Sequence, residues 1–235
     1  MNIAIIGFGK MGNGIASLLK KDKKISFIVD PLNTKEIKKI PAFKKITDVP
    51  EDLIRSVDIF MEFTEPKKAK ENILTIIKRK KNARIICGTT GWDSETIYKN
   101  VKNSGALLLH SSNFSIGINA LSKLVNELTG TMLDTDNFDV SIVEHHHEHK
   151  KDSPSGTASM LANIMDDNGF ACSITSIRQG DNPGTHIIYF DSEFETIEIK
   201  HEVSDRRVFC LGVLMAAKWL MKQKKPGIYD FSDVI

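Results

Sequence analysis

Four histidines, three acidic side chains and two lysines crowd into "EHHHEHKKDSPSGTAS", residues 144–159, directly before a run of small residues. Such side chains can ligate a metal, shuttle protons or simply face water, and the segment alone leaves all three open. His145, Glu148 and His149 match H-x-x-E-H, a zinc-peptidase pattern in which a helix presents both histidines on one face. The setting argues against metal: "VSIVE" upstream is β-branched and strand-like, and Pro154 opens a new helix five residues after His149. "DSPSGTASMLANIMDDNG" reads as that helix, with Asp152 or Ser153 as N-cap, Pro154 in the first turn, Leu161, Ile164 and Met165 as the buried stripe, and Asn168–Gly169 as the stop. Ser155, Gly156 and Thr157 then fall in the first turn, where unpaired amides and two hydroxyls beside Lys150 suit a carboxylate or phosphate. The plain alternative is an ordinary capped helix with solvated histidines. His146 and Lys150 are four apart and share a side in a helix or a strand. An imidazole that titrates near neutrality and a neighbouring ammonium would form a proton-delivering pair.

A second chemical signal sits at the other end of the chain. "GFGKMG" satisfies G-x-G-x-x-G with Gly7, Gly9 and Gly12, and Phe8, Lys10 and Met11 fill the pattern. It lies where the apolar run "NIAIIG" gives way to a helical spacing of Met11, Ile15, Leu18 and Leu19. Gly7 permits the tight turn, Gly9 lets the backbone approach a pyrophosphate, and Gly12 allows close helix packing. Asp30 ends the next apolar run, "ISFIVD", about twenty residues on, placed to bind ribose hydroxyls. The same glycines can also serve only a tight turn, but strand, glycines, helix, strand and acid in register favour a dinucleotide. An acid at position 30 repels a 2′-phosphate, although Lys10 and Lys35 can partly neutralise one, so NADH is the expected coenzyme and NADPH the alternative.

The elements that must hold these residues follow a βα alternation: "DIFMEFT" strand, "PKKAKENILTIIKR" helix, "ARIICGTT" strand, "DSETIYKNVKN" helix capped by Asp93 or Ser94, and "ALLLHSS" strand. That predicts an α/β, Rossmann-type, doubly wound parallel sheet. Phe63 and Thr64 in "EFTEP", and Gly88 to Gly91 in "CGTTG", then end on its carboxyl edge, where open α/β sheets bind ligands. After residue 115 the helix "INALSKLVNELTG" is followed by alternating strands, "HIIYFDS" and "FETIEIKHEV", which predict a second, α+β domain with a mostly antiparallel or mixed sheet. The helical "FCLGVLMAAKWLM" and "GIYDFSDVI" can return to the first domain. The expected division is 1–115 plus 207–235 for the dinucleotide and 116–206 for substrate binding and oligomerisation.

Composition sets outer bounds. A net charge of +2 over 235 residues does not advertise nucleic acid or a membrane as a partner. The cysteines Cys87, Cys172 and Cys210 are odd in number and far apart, which argues against disulfides and fits a reducing cytoplasm. The apolar start lacks a basic leader and is read as mature structure. "LGVLMAAKWLM" is broken by Lys218 and is too short to span a bilayer.

In their order along the chain, "GFGKMG", "EFTEP", "CGTTG", "SSNFSIGIN", "EHHHEHKKDSPSGTA", "GDNPGTHIIYF" and "GIYDFSDVI" resemble the 4-hydroxy-tetrahydrodipicolinate reductases. The E-x-H-H-x-x-K-x-D-x-P-S-G-T-A block is highly specific to that family, and the resemblance spans nearly the whole chain. It implies NAD(P)H-dependent reduction of a cyclic dicarboxylate on the diaminopimelate and lysine route, in a cytoplasmic homotetramer joined through the second domain's sheets. By position it implies His146 as proton donor or acceptor, Lys150 as proton donor, His147 as a substrate contact, and Gly156 and Thr157 as holders of a substrate carboxylate. Gly88, Thr89 and Thr90, with Ser111, Ser112, Asn113 and Phe114, match the family's nicotinamide-side loops. Three departures stand out. His145 makes a triple of the usual histidine pair, Pro31 replaces an arginine that several relatives use for the 2′-phosphate, and the chain is shorter than many relatives. Arg206 sits where the family often has an arginine and receives no role. Hydride transfer is expected to follow domain closure, with water excluded. The competing readings are a non-catalytic dinucleotide sensor, a zinc hydrolase, and a related dehydrogenase of an amino-acid semialdehyde or aspartate.

Overall fold

The computed structural model describes residues 1–19, 24–32, 40–92, 94–132 and 138–235; Lys35 and Asp93, named above, lie outside them. Two compact units emerge, one of Met1–Phe114 with Phe209–Ile235 and one of Ser115–Val208. Along the chain run β1 (Asn2–Ile6), α1 (Lys10–Leu18), β2 (Lys24–Val29), β3 (Ala42–Phe43), α2 (Glu51–Ser56), β4 (Ile59–Glu62), α3 (Pro66–Arg79), β5 (Arg84–Cys87), α4 (Ser94–Ser104) and β6 (Leu107–His110). Next come α5 (Ile116–Met132), β7 (Asp139–His146), α6 (Gly156–Asp167), β8 (Cys172–Arg178), β9 (Thr185–Asp191) and β10 (Thr196–Glu202). The chain ends with α7 (Arg207–Leu220) and β11 (Gly227–Tyr229). Among the described residues no helix is long and apolar enough to cross a membrane.

The first unit is a seven-stranded sheet in the order β11-β6-β5-β4-β1-β2-β3, with every pairing parallel. Both faces are covered, so its strands are apolar on both sides. Ala4, Ile6, Phe60, Ile85 and Leu108 join the core with α2, α3 and α4, while Ile3, Ile5, Met61, Ile86 and Leu109 join the core with α1 and α7. Each such side chain contributes about 1.5–3 kcal/mol relative to exposure. The order reverses between β2 and β4 on either side of β1, which places the ends of β1 and β4 at the topological switch point. Alternation in the sequence anticipates β1, β2, β4, β5 and β6 but not the two-residue β3 or the short α2.

The second unit is a four-stranded mixed sheet, β10-β9-β7-β8, in which β7 and β8 are parallel and β9 runs antiparallel to β7 and β10. Val140, Ile142, Ile188 and Phe190 pack inward on Ile118, Leu121, Val125, Leu161 and Met165 of α5 and α6. The start of α6 differs from the sequence expectation. Neither Asp152 nor Ser153 caps it, and Pro154 precedes it: Ser155 is the N-cap, in an extended conformation, and its hydroxyl accepts from the Ala158 amide. The reason lies in the sheet, since the Ser155 amide donates to Glu144 Oε1 at 3.1 Å and so cannot continue a helix upstream. Leu161 and Met165 are buried as the stripe predicts, Ile164 only partly, and Asn168 with left-handed Gly169 ends the helix.

Within the first unit, α7 presses onto the segment that follows β6. A Cβ added at Gly212 would lie 1.7 Å from the Phe114 carbonyl oxygen and 3.2 Å from the Phe231 ring. Gly212→Ala is therefore expected to lower the first unit's urea-unfolding stability by about 1–3 kcal/mol or more. A wild-type midpoint would show that this segment yields freely.

Candidate active site

At the carboxyl edge of the first unit, Gly7 turns the chain with φ +88°, and a Cβ there would meet the Phe63 carbonyl at 2.4 Å. A Cβ on Gly12 would meet the Gly7 carbonyl oxygen at 2.3 Å, whereas among the described residues nothing lies within 4 Å of a Cβ on Gly9. The turn is thus closed on its inner side and open where a ligand would approach. Among the described residues no side chain caps α1, and the amides of a helix's first turn are those that suit an anion. Asp30 lies at the end of β2 and is buried; its Oδ2 accepts from the Phe8 amide at 2.8 Å and its Oδ1 from the Leu32 amide at 2.9 Å. The acid therefore pins the glycine turn as well as placing a negative charge beside it. Lys10 is exposed at the first helical position and Met11 half-buried.

The two neighbouring loops are tied together by Glu62, a fully buried residue to which the sequence reading gave no role. Its carboxylate accepts from the Thr64 hydroxyl, from the Thr89 hydroxyl at 2.8 Å and from the Asn72 amide at 3.2 Å. Burial and the Glu62 charge push the adjacent Cys87 thiol far up, so it stays neutral. Phe63 meets Phe114 edge-on, with ring centroids 6.2 Å apart, next to Gly88. Ser111 and Phe114 are buried, Ser112 and Thr90 exposed, and Asn113 half-buried. The residues expected around a nicotinamide thus share one edge. Open amides, a ribose-height acid and braced loops fit a pyridine dinucleotide.

In the second unit the polar cluster is a row across the sheet. Register aligns Ser176 of β8, Glu144 of β7, His186 of β9 and His201 of β10 side by side, with His146 and Arg178 paired one step further. Glu144 and His146 continue the inward face of Val140 and Ile142, so the apolar core ends in charge. Glu144 Oε1 accepts from Ser176 Oγ at 2.7 Å, Arg178 Nη2 at 2.6 Å and the Ser155 amide. Its Oε2 lies 2.7 Å from His146 Nδ1, close but off the line of the ring N–H. His146 stacks edge-on to His186 at 5.2 Å, and His186 Nε2 lies 3.3 Å from the Ser155 hydroxyl.

These surroundings set protonation. Burial would raise the Glu144 carboxyl, but hydrogen bonds from Ser176, Arg178 and Ser155 win and hold it at about 2. Burial pulls His146 below its ordinary value against the attraction of Glu144, helped by the Lys150 and Arg178 charges. Burial, with His146 alongside, pulls His186 down to about 4. Three donor atoms of Glu144, His146 and His186 fall within 4.8 Å of one another. The Arg178 guanidinium, 2.6 Å from Glu144 Oε1, would oppose a dication there.

Lys150 reaches this site by a turn, which corrects the periodicity argument: its amide donates to the His147 carbonyl at 3.1 Å, and neither helix nor strand spans 147–150. Its ammonium grips both oxygens of Asp152 at 2.8 Å, and with the Gly156 amide nearby it holds that carboxyl below its ordinary value. His145 to His149 run from strand into turn, without the helix the zinc-peptidase pattern needs. Both His145 nitrogens are engaged, by the Gln179 carbonyl at 3.0 Å and the Asn182 side chain at 3.2 Å. The His147 amide donates to the Asn182 carbonyl at 2.8 Å. Of the expected contact residues Gly156 is exposed and Thr157 half-exposed, whereas Ser155 is 2 % exposed and committed to Glu144, His186 and the cap. Ser155 thus braces the site from within. Sequence reasoning passed over Glu144, Arg178, Ser176 and His186. Strand alternation through Val140, Ile142 and Glu144 aims a carboxylate at the core, and this was the readable signal.

Comparison with known proteins covers both units. Residues 1–114 match the family pattern described as dihydrodipicolinate reductase, N-terminus, and residues 117–235 match dihydrodipicolinate reductase, C-terminus. Proteins named 4-hydroxy-tetrahydrodipicolinate reductase from Christiangramia forsetii and Thermosipho africanus are each 34% identical, covering 100% of this chain and 98% of theirs. A dipicolinate-bound dihydrodipicolinate reductase from Paenisporosarcina sp. TG-14 shares the fold with a TM-score of 0.79 at 21% identity, covering 100% of this chain and 99% of that one. An aspartate dehydrogenase from Thermotoga maritima shares it with a TM-score of 0.57 at 20% identity, covering 97% and 99%.

The depressed histidine gives a signed pH dependence. His186 titrates near 4 in the folded chain and near 6.5 when unfolded, so the unfolded state binds more protons in between. Stability from this group is whole above 6.5 and is lost as pH falls toward 4, on the order of 1–3 kcal/mol. Urea unfolding of the second unit at pH 7 and pH 5 is expected to show that loss, and His186→Gln to flatten it. An unchanged slope in the variant would assign the loss elsewhere.

Proposed function

Because this chain belongs to the dihydrodipicolinate reductase family, we propose that it reduces 4-hydroxy-tetrahydrodipicolinate to tetrahydrodipicolinate with a reduced pyridine nucleotide. The observation that carries the reading is the Lys150 ammonium holding a carboxylate, that of Asp152, beside the exposed start of α6 and within electrostatic reach of His146. A ring dicarboxylate offers the same group to the same donors. The bound coenzyme supplies the hydride, held by the Gly7–Gly12 turn and the loops at Phe63–Thr64, Gly88–Thr90 and Ser111–Phe114. Replacing a ring hydroxyl by hydrogen consumes one hydride and one proton and releases water. His146, through Nε2, and Lys150 handle that proton and the charge it offsets. Gly156 and Thr157 hold a ring carboxylate at the start of α6, and His147 contacts the substrate.

NADH is the preferred coenzyme in this reading. A buried Asp30 carboxylate fixed by two amides repels a 2′-phosphate, and Pro31 beside it offers no cation. The lysine-biosynthetic role, a reducing cytoplasm and a homotetramer complete it. All three cysteines are free. The sheet face turned away from α5 and α6 carries Val143, Ile177, Ile187 and Tyr189, with Ile177 39% exposed, which suits joining sheet to sheet.

The test is NADH oxidation on substrate made in situ from pyruvate and aspartate semialdehyde, repeated with NADPH. Turnover is expected with both coenzymes at most and faster with NADH. His146→Gln and Lys150→Ala are each expected to cut it about a hundredfold or more. NADH binding should be spared. Coenzyme binding without turnover would favour a sensor, and full activity in both variants would remove their roles.

A further inference from the structure

Resting on the reductase reading, we propose that Glu144 is the positioning residue of the active-site histidine: its sealed carboxylate holds the His146 imidazole with Nδ1 turned inward and Nε2 left open for proton exchange. The Glu144 side chain has 0% exposure at the end of an apolar strand face. A buried charge persists only where its oxygens are answered. Three donors, Ser176, Arg178 and the Ser155 amide, meet Oε1. They leave Oε2 facing His146 Nδ1 at 2.7 Å, so one oxygen anchors the carboxylate and the other serves the ring.

The opposite edge of the imidazole is kept clear by a different device. A Cβ on Gly184 would come within 3.0 Å of Nε2, and among the described residues no hydrogen bond reaches that nitrogen. A proton favoured on Nδ1 by the carboxylate makes Nε2 the basic, exchangeable position. The groups that face His146 are Glu144 from its own strand, Arg178 from β8, His186 from β9, which the Ser155 hydroxyl meets from the far side, and Lys150 with its partner Asp152 from the turn. His201 of β10 stands behind His186. Among the charged members Glu144 alone is an anion touching the ring, and Arg178, Lys150 and any protonated neighbour oppose it. Removing the carboxylate's charge must therefore make His146 harder to protonate.

The arrangement also links the ring to the ligand-holding helix start. Arg178 donates from Nη2 to both Glu144 Oε1 and the Asp152 carbonyl, at 2.6 and 2.7 Å, while the Ser155 amide binds the same oxygen. Imidazole, Lys150 turn and first amides of α6 are thereby referred to one carboxylate.

The test follows the ring nitrogens of His146 by NMR through a pH titration of the full chain without substrate, in wild type, Glu144→Gln and Glu144→Asp. The midpoint is expected to fall by roughly one unit or more in Glu144→Gln. It should return toward wild type in Glu144→Asp, which keeps the charge. The His146-dependent limb of the kcat profile should shift in the same direction while NADH affinity is unchanged. A merely structural role would not move the midpoint. Should Glu144→Gln fail to fold, the Glu144→Gln/Arg178→Gln pair, which buries no lone charge, is titrated instead, and its midpoint is still expected below wild type. A wild-type midpoint in either folded variant overturns the proposal. Failure of the wild-type chain to oxidise NADH with substrate would count against the reductase reading, and the substrate-free titration would still decide the role of Glu144.

Discussion

A carboxylate sealed where an apolar core ends must find a partner for each oxygen, because water cannot reach it and an unanswered charge there is strongly destabilising. Glu144 answers with its Oε1, which accepts from the Ser155 amide at a helix start and from Ser176 and Arg178 of β8, while its Oε2 sits 2.7 Å from the imidazole two residues along its own strand. Much of the second unit's local form follows from this. The first turn of α6 is delayed to Gly156, Arg178 is held against the 152 carbonyl, and His146 is locked with one face on His186. The histidine that seemed one of four solvated rings is thus a buried, electrostatically tuned group, while His149 stays in solvent with its side chain 80% exposed.

The first unit solves a complementary problem, keeping an anion site open while packing everything around it. The Gly7–Gly12 turn is filled from behind by the Phe63 carbonyl and its own backbone, and the carboxylates of Asp30 and Glu62 brace the loops. In the second unit a carboxylate, that of Asp152, lies just ahead of α6 and is held by the Lys150 ammonium.

The doubly wound sheet was legible because strands buried on both faces and glycine-punctuated helices leave strong local patterns, as "NIAIIG" before "GFGKMG" does. The mixed sheet's alternation was visible in β9 and β10. What local pattern could not give was the partner of each side chain. Ser155 looked like a ligand donor because it fell in the expected first turn among unpaired amides and hydroxyls, whereas its amide binds Glu144 and its hydroxyl caps α6. His146 and Lys150 looked coupled through periodicity, but a turn, set by the His147 carbonyl and the Asn182 loop, brings them together. Glu144 itself was written in the strand's two-residue period as a charge pointing inward. Its meaning depended on Ser176, Arg178 and His186, each more than thirty residues distant.

Binding at the histidine-bearing end of the second sheet is the claim on which the rest stands. It is tested most directly by titrating dipicolinate into the isotope-labelled chain and following the amide signals of Gly156 and Thr157 together with the Lys150 side-chain signal. Saturable shifts confined to these groups and their neighbours, with the Lys150–Asp152 pairing released, are the predicted result. Shifts that leave them untouched and appear elsewhere would contradict the account.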